Sequence, residues 1–192
     1  MNRHPTLSVC TACRCTDLLG IAAGRAALPR LAEAADSIPA GLWALLDFAG
    51  VEMVTASAAR ESVLRLIEHL ADRRTLAVLV NMNTETRDEI EFAAQAGRQF
   101  VVAAQSVAND GPVGLKLFGP VDDKVKETLA LVGKLGETDA KGANDAHSGS
   151  AMGATAWNNR LAALAQVRLL KERKVGKTKY YSLALKGLVD GN

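Results

Sequence analysis

The chain has 192 residues, 48% of them hydrophobic and 23% charged, with a net charge of +2. This length allows one domain or two small ones, and so much apolar content excludes a largely disordered chain. No apolar run reaches membrane-spanning length and no secretory leader opens the chain, so the expectation is a cytoplasmic protein with no membrane partner. The small net charge hides an asymmetry, because residues 155–192 hold eight basic and only two acidic side chains. A basic end on a mildly acidic body is the electrostatic footprint of a nucleic-acid reader, and also of a plain lysine-rich surface.

HPTLSVC alternates enough for a first strand. Cys10, Cys13 and Cys15 follow in CTACRC, with His4 nearby. This is half of a zinc or iron–sulfur ligand set, but no second CxxC completes it, so free thiols are expected and no metal or other cofactor. Asp17 to Ala35 is rich in Ala and Leu, with Leu28, Leu31 and Ala35 inward and Arg25 and Arg30 outward. Pro29 should start or kink a helix there. GLWALLDFAGVEMV, Gly41 to Val54, reads as a buried central strand with a tight turn at Ala49-Gly50. Thr55 or Ser57 then caps a helix over Ala58–Arg73, buried through Leu64, Leu66, Ile67 and Leu70. LAVLV, Leu76 to Val80, is a second buried strand. A helix capped by Thr84 follows, with Glu85, Asp88 and Glu89 near its positive end. Phe100–Ala104 and Val113–Phe118 are further strands, separated by the turn Asn109-Asp110-Gly111-Pro112. Alternating strands and helices with cover on both sheet faces predict an α/β layer domain.

The run LLDFAGVEMVTASAARE resembles the STAS-like domains related to anti-sigma-factor antagonists, over about residues 5–105. Asp47 and Val51 match the strand motif, Ser57 falls where the antagonists carry a phosphorylatable serine, and Glu61 completes an S-x-x-x-E pattern. The antagonists have Asp two residues before the serine and Gly after it, where this chain has Thr55 and Ala58. The resemblance implies that Ser57 and Asp47 belong to a phosphorylation or partner-docking site. The residues alone also allow Ser57 to be a helix cap.

Pro120 and Asp122-Asp123 open a second domain, giving boundaries of 1–119 and 120–192. DKVKETLALVGKLG is an amphipathic helix, Thr138 to His147 a short one capped by Thr138, and SGSAMGA a turn. TAWNNRLAALAQVRLLKERKVGKTKYYSL then reads as a helix capped by Thr155, with Leu161, Leu164, Val167 and Leu170 as its buried stripe. LLKERKV and KYYSLAL form a hairpin turning at Gly176-Lys177.

A helix feeding a basic hairpin resembles the winged helix-turn-helix of ArsR- and MarR-type regulators. Leu169, Leu170, Arg173, Gly176, Lys177, Tyr180, Tyr181, Ser182 and Leu183 match the family's wing, while Arg168 stands where it usually has Gly. The resemblance implies a small α+β winged-helix domain, a homodimer and double-stranded DNA as partner. Thr155, Trp157, Asn158, Asn159 and Arg160 would lie at base edges, where Asn pairs with adenine and Arg with guanine. Arg173, Lys174, Lys177 and Lys179 would contact phosphate. Trp157 is equally suited to core packing. His4, His69 and His147 are scattered, and there is no phosphate loop, HExxH or nucleophile elbow, so no enzyme is expected. Two functions follow: a DNA-binding transcriptional regulator whose STAS-like domain senses a signal, dimerises or docks a partner, or a protein-interaction switch using the winged helix as an adaptor.

Overall fold

The computed structural model describes residues 4–41, 43–147 and 153–188. The chain divides after Pro120 into two compact units. The first comprises β1 (Thr6–Ser8), α1 (Val9–Cys13), β2 (Asp17–Leu18), α2 (Gly20–Asp36), β3 (Trp43–Asp47), β4 (Met53–Val54), α3 (Ala56–Glu61), α4 (Val63–Asp72), β5 (Leu76–Val80), α5 (Thr84–Ala96), β6 (Val101–Ala108) and β7 (Gly111–Phe118). Its main sheet has the order β1-β3-β5-β6-β7, parallel except for the β6–β7 hairpin. The molecule is thus a mixed α/β protein with a mostly parallel central sheet.

Strand register explains the burial. Leu7, Leu46, Leu79 and Ala103 pair across four strands and enter the hydrophobic core together. The alternate row, Leu45, Val78 and Val102, points to the opposite face, as the two-residue period of a strand requires. Successive parallel strands step in one direction, and right-handed crossovers then put every connecting helix on one side. Accordingly α2 packs on α3 and α4, and α3 on α5, in a single layer. Among the described residues of the first unit, its own helices therefore cover one face of the sheet, where the sequence predicts cover on both. The second face is instead reached by the long β6–β7 hairpin. A Cβ on Gly111 would stand 3.4 Å from the Trp43 ring of β3.

Local chemistry sets the helix ends. Thr55 caps α3 by accepting from Ala58 N–H, and Asn83, not Thr84, caps α5 by accepting from Thr86 N–H. The helix expected over 58–73 starts two residues earlier and breaks at Ser62, whose hydroxyl donates to the Ala58 carbonyl at 2.7 Å. Pro29 neither starts nor ends α2, which is continuous through it. Pro29 lies on the exposed side, where solvent can reach the carbonyl that its missing N–H leaves without a donor. Leu31 and Ala35 are buried as expected, while Leu28 is half-buried. Thr16, Leu18 and Gly20 tie into the β4–α3 corner, and Gly20 N–H donates to the Thr55 hydroxyl at 2.9 Å.

The contact of α2 with α3 depends on Gly24. A Cβ there would come within 2.6 Å of the Ala58 carbonyl oxygen and 3.0 Å of Glu61 Cβ. Gly24→Val should therefore push α2 off α3 and cost roughly 1–3 kcal/mol, as overpacking does. Urea unfolding of the variant checks this, and an unchanged midpoint would show that α2 shifts freely.

The second unit comprises α6 (Asp123–Leu135), β8 (Glu137–Thr138), α7 (Ala140–Ala146), α8 (Ala154–Gln166), β9 (Leu170–Val175) and β10 (Thr178–Leu183). Its antiparallel sheet has the order β8-β10-β9. Asp122 and Asp139 cap α6 and α7, accepting from Val125 N–H at 2.8 Å and Gly142 N–H at 2.7 Å. Thr138, expected to cap α7, is buried in β8. Leu129, Val132, Trp157, Leu161, Leu170 and Tyr181 supply the heart of this unit's core. The expected turn over 148–154 lies mostly outside the described residues. Among the described residues no helix is long and apolar enough to cross a membrane.

Candidate nucleic-acid interface

Helix α8 presents two chemically different sides. Trp157, Leu161 and Leu164 recur at i, i+4 and i+7 and are buried. Thr155, Asn158, Asn159 and Gln166 are exposed. Gly153, without a side-chain bond, occupies the cap position, so Thr155 is not the cap but an exposed residue of the first turn. Val167 lies past the helix end and is 39% exposed, so it does not continue the buried stripe.

Two expected base-contacting residues are committed elsewhere. Trp157 is 0% exposed, one of the largest side chains in the core. Arg160 turns toward α6: its Nη1 lies 2.9 Å from Glu127 Oε2, and its guanidinium stacks 5.3 Å from the Trp157 ring centre. The other oxygen of Glu127 is 3.2 Å from His147 Nε2 at the end of α7. Glu127 thus braces α8 against α6 and α7. Arg160, tied to Glu127, and the buried Trp157 position the helix and leave Asn158 and Asn159 facing outward.

The hairpin's register sorts its cations. Lys171, Arg173 and Val175 pair with Ser182, Tyr180 and Thr178 on one face, and Glu172 and Lys174 with Tyr181 and Lys179 on the other. Gly176 takes a φ of 59° at the start of the two-residue turn, as such turns favour. Arg173 reaches across Tyr180, 5.4 Å from its ring centre, and grips Glu137 of β8 through two bonds of 3.0 and 2.6 Å. That fork holds the Glu137 carboxyl below its usual pKa and raises that of Arg173. Because the folded value is lowered, the tie is intact at neutral pH and is lost only as pH falls through it. Lys179 is similarly engaged by Glu172 at 3.0 Å, which raises its pKa.

Lys171, Lys174 and Lys177 have no ionic partner among the described residues. Of the four expected phosphate contacts, Lys174 and Lys177 are therefore available, whereas Arg173 and Lys179 are neutralised in place. Lys171 was not anticipated. The signal for it was the strand alternation itself, which puts it on the face of Arg173. If this surface binds DNA, Glu137→Gln should release Arg173, tighten duplex binding and steepen its salt dependence by about one unit of log–log slope. Fluorescence anisotropy at several salt concentrations measures both, and an unchanged slope would exclude Arg173 as a latent contact.

In the first unit, Asp47 ends β3 and uses Oδ1 twice, accepting from Ala49 N–H at 2.9 Å and from the Asn81 side chain at 2.8 Å. Those bonds close the β3 turn and tie it to the end of β5, so Asp47 is a structural clamp. Ser57 lies in the first turn of α3, its hydroxyl 3.3 Å from that of Thr55. Thr55, not Ser57, is the cap. The Glu89 carboxylate accepts the Ala56 N–H at the same helix end, so a carboxylate already stands where a phosphate on Ser57 would seek N–H donors.

The cysteines do not gather a ligand set. Cys13 is buried, and burial above all pushes its thiol up to about 12, while Cys10 and Cys15 are half-buried. His4 stacks on Trp43 with ring centres 4.5 Å apart. Among the described residues no three His, Cys, Asp or Glu side chains are placed to hold a metal. No protein-family model, curated protein or solved structure matches the chain.

Proposed function

We propose that the protein is a cytoplasmic DNA-binding transcriptional regulator, acting as a homodimer. Its second unit is a winged helix that reads duplex DNA, and its first, STAS-like unit senses a signal, dimerises or docks a partner. The observation that carries this reading is α8 leading within a few residues into a hairpin with three lysines, Lys171, Lys174 and Lys177, that have no ionic partner among the described residues, while Asn158 and Asn159 remain exposed. Arg168 adds support. It takes a φ of 65° between α8 and β9, a conformation suited to the glycine that winged helices usually carry there. The assignment of roles follows from exposure: the asparagines discriminate bases and the lysines hold phosphates.

The neutralised pairs Arg173–Glu137 and Lys179–Glu172 favour the second reading, an adaptor surface, because they halve the expected charge of the wing. A salt series separates the two. Duplex DNA should bind the full chain at low salt and weaken log-linearly as salt rises, since bound phosphates release counterions. Absence of binding at low salt, or affinity indifferent to salt, would leave the adaptor.

A further inference from the structure

Three arginines from three successive helices meet on one carboxylate in the first unit. Arg25 of α2 donates Nε to Glu61 Oε2 at 3.1 Å, and Arg65 Nη2 of α4 lies 3.4 Å from the same oxygen. Arg60 Nε of α3 lies 3.8 Å from Oε1. The Glu61 side chain is only 8% exposed, whereas those of the arginines are 55–69% exposed. Among the described residues none of the three has another acidic partner.

One negative charge therefore gathers three positive ones, and the patch keeps a surplus of two. A guanidinium has five N–H donors, and each arginine commits few of them to Glu61. The rest open to solvent from a buried anchor that fixes where the guanidiniums stand. The close approach of α2 to α3 at Gly24 holds the first arginine against the other two. A doubly charged anion with forked oxygen acceptors, a phosphate monoester, matches this surplus and geometry.

The neighbourhood says what carries the phosphate. Leu19 and Ile21, at the start of α2, are 55% and 42% exposed. Ile21 lies one helical turn before Arg25, on the same side of α2. Apolar surface beside a guanidinium cluster offers nothing to a free phosphate ion, but it suits the side chains flanking a phosphorylated residue.

We propose that Arg25, Arg60 and Arg65, anchored by Glu61, dock a phosphorylated segment of a partner protein, with an apolar residue of that segment seated on Leu19 and Ile21. The proposal does not depend on DNA binding, since its readout is confined to the first unit.

The test is a nitrogen–proton correlation NMR titration of the full chain with three probes. These are a leucine-flanked phosphoserine peptide, its unphosphorylated twin and sodium phosphate. The phosphopeptide should shift signals of residues 19–25 and 57–65 and bind at least tenfold more tightly than either other probe. The Arg60→Ala/Arg65→Ala variant, altered only at exposed side chains, should bind it at least tenfold more weakly with its spectrum otherwise dispersed as before. No shifts with the phosphopeptide, or shifts that survive the double substitution, would overturn the site. Equal binding of phosphate and phosphopeptide would overturn the polypeptide source.

Discussion

Replacing Lys171, Lys174 and Lys177 by alanine is expected to remove most duplex binding and to flatten its salt dependence by about three units of log–log slope, about one per lost phosphate contact. The three lysines are the hairpin cations without an acidic partner among the described residues. Their substitution leaves the paired Arg173 and Lys179 untouched and breaks no ion pair. Stability should therefore change by no more than about 0.5 kcal/mol, as for surface positions generally. The Arg173→Ala/Lys179→Ala variant is the informative contrast. It removes two cations already compensated by Glu137 and Glu172, so its slope should fall by less than that of the triple variant. Equal slopes for wild type and triple variant would mean that DNA does not meet the hairpin through these lysines.

Trp157→Ala has the largest expected effect on folding. The side chain is fully buried, and its replacement should cost roughly 3–5 kcal/mol. A unit as small as the second one has little stability in reserve. Signals of the second unit should collapse in NMR spectra, and duplex binding should disappear with them. Asn158→Ala, one residue along, should leave thermal unfolding unchanged yet alter the preference among duplex sequences by about 1–3 kcal/mol if Asn158 pairs with a base. Were Trp157→Ala to retain a dispersed spectrum while losing DNA, the indole would be a contact residue after all.

These two adjacent residues mark where reading the chain succeeds and where it stops. Sequence periodicity located β3, β5, α5, α6, α8 and the β9–β10 hairpin, because an apolar stripe or a continuous apolar run reports directly on burial. It also flagged Asn158 and Asn159 as outward. It left Trp157 open, because an indole suits a core as well as a base edge, and misjudged Arg160, which lies at the edge of the stripe. Only the approach of α6, bringing Glu127 to Arg160, turns that edge inward. The cap assignments at Thr84, Thr138 and Thr155 each missed by one or two residues. Asn83, Asp139 and Gly153 take those positions because the cap is set by where the backbone leaves the extended region, which neighbouring polar residues do not specify uniquely.

The sequence by itself determined the succession of the longer strands and helices, their alternation and the charge of the C-terminal hairpin. These depend on residue type and spacing within a few turns of chain. Only the tertiary structure decided that the first unit's helices form one layer, that Arg173 and Lys179 are neutralised and that Arg25, Arg60 and Arg65 converge on Glu61. Each of these joins groups distant along the chain or across strands, and strand order and register determine which charges meet.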